Sequence, residues 1–349
     1  MTNAEILVEV RRGSIIESVH RGHLAIVDGD GNLVGALGDP ATVTFMRSAA
    51  KPFQAIPLVM SGTVEKFGLT PREIALTCGS HNGEPLHTET AAKILEKCDL
   101  TEKDLRCGAH DPFNQELARQ MIADGVAPTQ LHNNCSGKHA GMLAFAKQTN
   151  ASLANYESPE NPIQTKIFET IEKFSGLSRD AIGVGVDGCA APNFAVPLLV
   201  MAQMYARLVF PPKSFDAELR EACRVVGSAM TTYPEMIGGS LTERLDTEIM
   251  RAAHGQIVSK IGAEGVYTAG VLPSPRYPHG LGIALKIADG EDRRARPVAT
   301  LEILRQLGIL DPEKSETLRN FARLAIKNWR GDQVGEVAPV FKLKIKSEI

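Results

Sequence analysis

Strand-like sequence at both ends of the chain, with helical periodicity filling the stretch between, is the feature that most limits the fold. The N-terminal residues read as extended: Ile6 to Val10, then Ser14 to Asp28 rich in Ile and Val, a turn at Asp28-Gly29-Asp30-Gly31, and Leu33 to Leu37. From about Ser48 to Ala253 apolar residues recur at helical spacing, which predicts helices near 52–60, 86–98, 115–124, 137–148, 161–174, 196–209, 215–231 and 242–253. Thr70 before Pro71-Arg72-Glu73 and Asn161 before Pro162 are helix-start signals. Past Gly255 the strand-like runs return as Ile257 to Ile261, Val266 to Leu272 and Leu281 to Ile287, followed by helices predicted near 294–307 and 312–328.

Strands at both ends with helices between them predict an α/β protein of the α+β type, with an antiparallel sheet built from both termini and a large helical region. The expected division puts residues 1–45 and 255–349 in a sheet-containing part and 46–254 in a mainly helical part. Together they would form one catalytic unit, with its active site at the junction.

Composition narrows the function. The chain is 43% hydrophobic and 23% charged, the balance of a folded globular protein. A net charge of -3 gives no basic excess for nucleic acid or an anionic membrane surface. No run approaches the roughly 18 apolar residues that span a bilayer, and the start, Met1-Thr2-Asn3-Ala4-Glu5, lacks the basic and apolar regions of a secretory signal. The expectation is cytoplasmic residence, with no nucleic-acid and no membrane partner. Six cysteines in 349 residues do not suggest a disulfide framework, so a special cysteine here is a metal ligand or a reactive thiol. Cys78, Cys98, Cys107 and Cys223 read as inert. Aromatic content is 5%, with a single tryptophan, Trp329, which offers no stacking platform for a base or sugar.

The chemistry-bearing residues fall in short clusters. Arg47-Ser48-Ala49-Ala50-Lys51 places a serine and a lysine three apart at the entry to a helix, on one face. A serine hydroxyl attacks only when a base takes its proton, and a lysine does this as the neutral amine. Ser-x-x-Lys by itself is common and such lysines are usually solvated. Ser80-His81-Asn82 and Lys260-Ile261-Gly262, the latter on a predicted strand, complete an ordered set that resembles the Ser-x-x-Lys, Ser-x-Asn and Lys-Thr-Gly motifs of serine penicillin-binding proteins and β-lactamases. Two features depart from that pattern: about thirty residues separate the first two motifs, and Ile261 replaces a hydroxyl residue. Asn133-Asn134-Cys135-Ser136-Gly137-Lys138-His139 and Val186-Asp187-Gly188-Cys189 bring two thiols whose neighbours Lys138, His139 or Asp187 could complete a zinc site. Buried cysteines are also commonly inert.

Met46-Arg47-Ser48-Ala49-Ala50-Lys51-Pro52, Cys78-Gly79-Ser80-His81-Asn82-Gly83, His132 to His139, Gly185 to Pro192 and Lys260 to Gly265 together resemble the rhizobial-type (class 3) L-asparaginases of the asparaginase II family, from the first strands to the late sheet. The resemblance implies a fold similar to serine β-lactamases and glutaminases, a homodimer, and hydrolysis of L-asparagine to L-aspartate and ammonia. It also implies two serine–lysine pairs, Ser48 with Lys51 and Ser80 with Lys260. One zinc ion per chain would be held by Cys135, Lys138 and Cys189, and Arg47, Asn134, His139 and Asp187 would line the substrate pocket. On that basis Ser48 attacks the side-chain amide with Lys51 as general base, Ser80 and Lys260 relay a proton to ammonia, and zinc positions substrate rather than activating the nucleophile. Arg47 would take the substrate carboxylate and Asp187 its ammonium. A glutaminase or other serine acylase, a zinc hydrolase, and a non-catalytic amino-acid binding protein are the competing readings.

Overall fold

The computed structural model describes residues 3–240 and 244–345, and these fall into two compact units. The first comprises Met1–Ala49, Val196–Pro212 and Glu248–Ile349, the second Ala50–Ala195 and Lys213–Thr247.

The first unit is built on an eight-stranded antiparallel sheet drawn from both ends of the chain, as the strand pattern predicts. Its order runs Leu324–Lys327, Gln333–Pro339, Glu5–Arg12, Ile15–Asp28, Leu281–Ile287, Val266–Val271, Ile257–Ile261, with Leu33–Leu37 also paired to Ile15–Asp28. The long second strand pairs with Glu5–Arg12 through its first half and with Leu33–Leu37 through its second. Its residues His23 to Asp28 are buried without alternation, as in a strand covered on both faces.

Helix Leu198–Val209 lies on this sheet, against the strands Ile15–Asp28, Val266–Val271 and Leu281–Ile287. Two glycines on neighbouring strands make room for it. A Cβ on Gly282 would stand 1.9 Å from the Ala202 carbonyl oxygen, and one on Gly270 would stand 2.9 Å from that of Tyr205. The segment Val196–Pro212 therefore belongs with the sheet, although it sits in the middle of the stretch that sequence periodicity assigns to the helical part.

The second unit is helical. At its centre Ser136–Gln148 is buried along Ser136 to Ala146 on every side, so it shows no amphipathic stripe. Gly137 and Gly141 let the helix Pro71–Thr77 close onto it: a Cβ at Gly137 would meet Leu76 at 2.5 Å and one at Gly141 would meet Thr77 at 2.7 Å. Thr70 caps Pro71–Thr77 with a capping box to Glu73. Lys51–Met60, Pro85–Lys97 and Pro162–Ser175 pack around the centre.

Most predicted helices appear within one or two residues of their expected ends. The helix expected over 242–253 is Leu245–Ala252, its first expected residues lying outside the described ones. One expectation is overturned. In place of a helix over 312–328 there is a short helix Glu316–Ala322, then strand Leu324–Lys327, which pairs with Gln333–Pro339. The alternating burial of Leu324–Lys327 is that of an edge strand, whose pairing supplies hydrogen bonds that a helical continuation would have had to provide internally. Among the described residues no helix is long and apolar enough to cross a membrane.

Candidate active site

Lys51 opens the helix Lys51–Met60, directly after the one-turn 3-10 helix Arg47–Ala50 that carries Ser48. Arg47 takes a φ of 51°, the left-handed region that a residue with a Cβ adopts at a cost, and such strain gathers at functional sites. Its guanidinium stands 4.0 Å from the Glu264 carboxylate. Pro52 follows Lys51 without penalty because the first turn needs no N–H there.

Lys51 is 2% exposed. Its Nζ donates to the Gly79 carbonyl, lies 2.9 Å from Ser80 Oγ and 3.4 Å from the Asn134 carbonyl oxygen. The lysine that the sequence pattern pairs with Ser48 is thus bonded to Ser80. Two of its three neighbours are carbonyls, which only accept. A neutral amine would spend both hydrogens on them and turn its lone pair to the Ser80 hydroxyl, the arrangement of a base facing the proton it removes.

Ser80 sits after the helix Pro71–Thr77 on a segment pinned by main-chain bonds. Ser80 N–H donates to Ile237 O at 2.8 Å and Asn82 N–H to Gly238 O at 2.8 Å. Gly79 is required there, since a Cβ would stand 2.4 Å from Met236 O. The intervening His81 is fully buried: its Nδ1 accepts from Gly83 N–H at 3.2 Å, which leaves Nε2–H for Ser136 Oγ at 3.1 Å. Burial, then the stacked ring of His87 4.7 Å away, holds His81 well below the ordinary histidine range, so it is neutral.

Lys260, also in the expected set, is fully buried in the strand Ile257–Ile261 and donates to Ile261 O at 2.9 Å. The next residue, Gly262, approaches Met46 so closely that a Cβ would stand 2.6 Å from its carbonyl oxygen. This packs the Lys260 strand against the segment leading to Ser48. Arg296, buried behind the turn, donates to Gly262 O at 2.7 Å.

A second cluster forms around the two motif cysteines. Cys135 stands immediately before the helix Ser136–Gln148, its N–H fixed by Asn133 Oδ1 at 2.8 Å, and Lys138 follows three residues on. Lys138 Nζ lies 3.0 Å from Cys189 Sγ. Cys189 lies within a tight turn in which Asp187 O accepts from Ala190 N–H at 2.9 Å and Ala190 has a φ of 70°. The Cys189 thiol is held far below its usual value, first by a hydrogen bond from Cys135 and then by the Lys138 ammonium. Cys135 is correspondingly pushed up by Cys189 and by burial. Burial works against the Lys138 ammonium, but Cys189 and Cys135 outweigh it and keep that group above its ordinary value.

Among the described residues no group of three or more His, Cys, Asp or Glu side chains is placed to hold a metal ion. A metal at this cluster would therefore need the Lys138 amine beside the two thiols. Two sulfurs and one nitrogen, all buried, fit the donor chemistry of zinc with one position open.

The remaining expected residues divide. His139 is fully buried and anchored, with Nδ1 2.7 Å from Tyr156 Oη, which accepts from Arg106 N–H at 2.9 Å. Asn134 joins the two clusters through its main chain: its carbonyl faces Lys51 and accepts from His81 N–H at 3.2 Å, while its N–H donates to His110 Nε2 at 3.0 Å. Asp187 is half-buried, with Oδ1 accepting from Gly188 N–H at 2.8 Å. His110, Tyr156, Glu84 and Arg244 surround these groups and were not legible in the sequence, because the partners that place them lie in distant segments, while His81 stood there only as the middle residue of Ser80-His81-Asn82. Cys107 is a buried thiol pushed up to about 12, first by burial and then by Cys189, and stays inert.

Comparison with known proteins decides the family. The sequence model of L-asparaginase II matches residues 8–339. The chain belongs to the L-asparaginase II family. No curated protein sequence matches it significantly. Among solved structures it is similar to a probable glutaminase from Bacillus subtilis complexed with 6-diazo-5-oxo-L-norleucine, at 14% identity over 83% of this chain and 85% of that one, with a TM-score of 0.40. It is also similar to a Bacillus glutaminase determined in the presence of 4.3 M NaCl, at 13% identity, 83% and 91% coverage, and a TM-score of 0.39. With such low scores the asparaginase II match alone carries the assignment. As a member of the asparaginase II family the protein is an amidohydrolase.

Proposed function

We propose that the protein hydrolyses L-asparagine to L-aspartate and ammonia, with Lys51 as the general base that takes the proton of Ser80. The observation that carries this reading is the Lys51 environment: two carbonyl acceptors and one serine hydroxyl around a buried amine. Ser80 Oγ adds to the side-chain amide carbon as its proton passes to Lys51. The tetrahedral adduct collapses as that proton is delivered to the departing nitrogen, giving ammonia and an aspartyl ester of Ser80. Water, deprotonated by the same amine, then cleaves the ester and restores the serine.

A second reading keeps Ser48 as the attacking group and makes Ser80 the relay between it and Lys51; the position of Ser48 three residues before Lys51 favours it. Lys260 is assigned as the second lysine of either scheme. Arg47 and Asp187 are assigned to the carboxylate and ammonium of the substrate, and Asn134 and His139 to the pocket wall.

Cys135, Lys138 and Cys189 would hold one zinc ion. Bound there, zinc would supply Lewis-acid polarisation or positioning of a substrate oxygen. The protein is further proposed to act as a homodimer in a reducing compartment, the cytoplasm, where its buried thiols stay free.

Ammonia release from L-asparagine and from L-glutamine, for the wild type and for Ser48→Ala and Ser80→Ala, tests this. Asparagine turnover lost in Ser80→Ala and an aspartyl adduct trapped on Ser80 support the first scheme. An adduct on Ser48 supports the second. Faster release from glutamine would make the protein a glutaminase, and release from neither amide would remove both schemes.

A further inference from the structure

A polar tether runs from Ser80 to a carboxylate with no exposure to solvent. Glu84 is 0% exposed. Its Oε2 accepts from the backbone N–H of Ser240 at 2.9 Å and from its hydroxyl at 3.1 Å, and its Oε1 from the side-chain amides of Asn82 at 3.2 Å and Asn114 at 3.4 Å. Donors face both oxygens, the surroundings that a carboxylate taken out of water requires.

The opposite charge arrives at one remove. Arg244 Nη1 donates to Asn82 Oδ1 at 2.6 Å, and Nη2 donates to the Ser80 carbonyl at 2.8 Å. Asn82 therefore sits between a carboxylate and a guanidinium with its amide orientation fixed: the NH2 must face Glu84 and the oxygen must face Arg244. Gly239 presses on the pair, since a Cβ there would stand 2.4 Å from Asn82 Nδ2 and 2.7 Å from Glu84 Oε1.

We propose that Glu84, acting through Asn82 and Arg244, is a positioning residue that aims the Ser80 hydroxyl at Lys51. The proposal rests on the Lys51–Ser80 reading above. The Ser80 main chain is held at both ends, its N–H by Ile237 O and its carbonyl by Arg244 Nη2, so side-chain rotation is the freedom that remains. The hydrogen bond to Lys51 at 2.9 Å closes that freedom. Without the Glu84 charge the Asn82 NH2 loses an acceptor that orients it, and the bond from Arg244 to the Asn82 oxygen is weakened.

The test is a polarity swap. Glu84→Gln puts an NH2 against the donors around position 84, and Asn82→Asp puts a second carboxylate against Glu84. Each is expected to lower kcat on L-asparagine at least about tenfold with KM within about threefold, because small displacements of a reacting group cost rate rather than binding. In the Glu84→Gln/Asn82→Asp double variant the introduced glutamine amide donates to the introduced aspartate, whose other oxygen still faces Arg244; kcat should return to within about threefold of wild type. Arg244→Gln, at a half-buried position, should reproduce the single-variant loss and carries the test if Glu84→Gln does not fold. Single variants with wild-type kcat, or a double variant no faster than the product of the single effects, would overturn the proposal. Ser80→Ala run alongside separates the two levels. If it turns over asparagine normally, the Lys51–Ser80 reading fails and the positioning role falls with it. If it is inactive while Glu84→Gln and Arg244→Gln keep full kcat, only the positioning role is lost.

Discussion

Lys51 and Ser80 lie 29 residues apart in sequence and 2.9 Å apart in space, Nζ to Oγ, with the amine also bonded to the carbonyl one residue before that serine. A solvated lysine would have no reason to adopt this geometry. Burying an ammonium or an amine is tolerated only when its hydrogens are met, and here the Gly79 and Asn134 carbonyls meet two of them. What is left is directed at a hydroxyl.

Replacing that amine should therefore remove catalysis without unfolding the protein. Lys51→Met keeps the length and apolar stem and is expected to lower kcat by about 10²–10⁴, the range of general-base contributions. It should cost about 1–3 kcal/mol of stability, because the Gly79 carbonyl loses its donor. Ammonia assays with urea denaturation decide it: a variant within tenfold of wild-type kcat would rule out Lys51 as the base.

The thiol cluster makes a prediction independent of turnover. Protein purified from zinc-supplemented cells should carry about one zinc per chain by elemental analysis, and Cys189→Ser or Lys138→Met should each lower metal occupancy strongly. If the lysine variant retains zinc as tightly as wild type, the amine is not a ligand. Wild-type protein without zinc would leave the cluster as a thiolate–ammonium pair.

Acid should destabilise the helical unit before its carboxylates titrate. Burial lowers His87 from an ordinary value of 6.5 to about 4, against the opposing effects of its bond to the Glu235 carbonyl and of the Glu84 carboxylate. Between those values the unfolded chain binds a proton that the folded chain refuses. The stabilisation is complete above pH 6.5 and is lost as pH falls toward 4, by at most about 3 kcal/mol for this residue. His81, lowered by burial and by His87, acts in the same direction. Urea unfolding at pH 7 and pH 5 measures the difference, and equal unfolding free energies would contradict it.

Gly282 should tolerate no side chain. Its Cβ would lie 1.9 Å from the Ala202 carbonyl oxygen, a backbone atom that cannot swing away. Gly282→Ala is expected to lose about 1–3 kcal/mol or more by forcing the helix off the sheet, read as a lower urea midpoint. Gly188→Ala is the control: its φ lies outside the left-handed region, as does that of Gly282, and no atom lies within 4 Å of the Cβ position. Equal midpoints for the two variants would mean that helix packing on the sheet is not what Gly282 protects.

Local pattern determined much of this protein by itself. Alternating and continuous apolar runs marked the strands at both ends, and helical spacing with Pro and Thr or Asn caps marked the helices, because burial on one face or two imposes those periods wherever the element lies. The motif segments carried the family and named the serines, lysines and cysteines. Pairing was another matter. Sequence spacing put Lys51 with Ser48, three residues away, whereas the fold turns the lysine to Ser80. Only the return of the chain past Ile237 and Gly238 fixes where Ser80 stands. The strand Leu324–Lys327 and the docking of the helix Leu198–Val209 on the sheet were hidden for the same reason: each is defined by a partner far along the chain. Glu84, Asn82 and Arg244 make the point most sharply, since the guanidinium reaches Asn82, which bonds the buried Glu84 carboxylate, across some 160 residues. Periodicity reports which face of an element is dry, while contacts between distant segments depend on the closure of the whole unit, and those contacts set the chemistry.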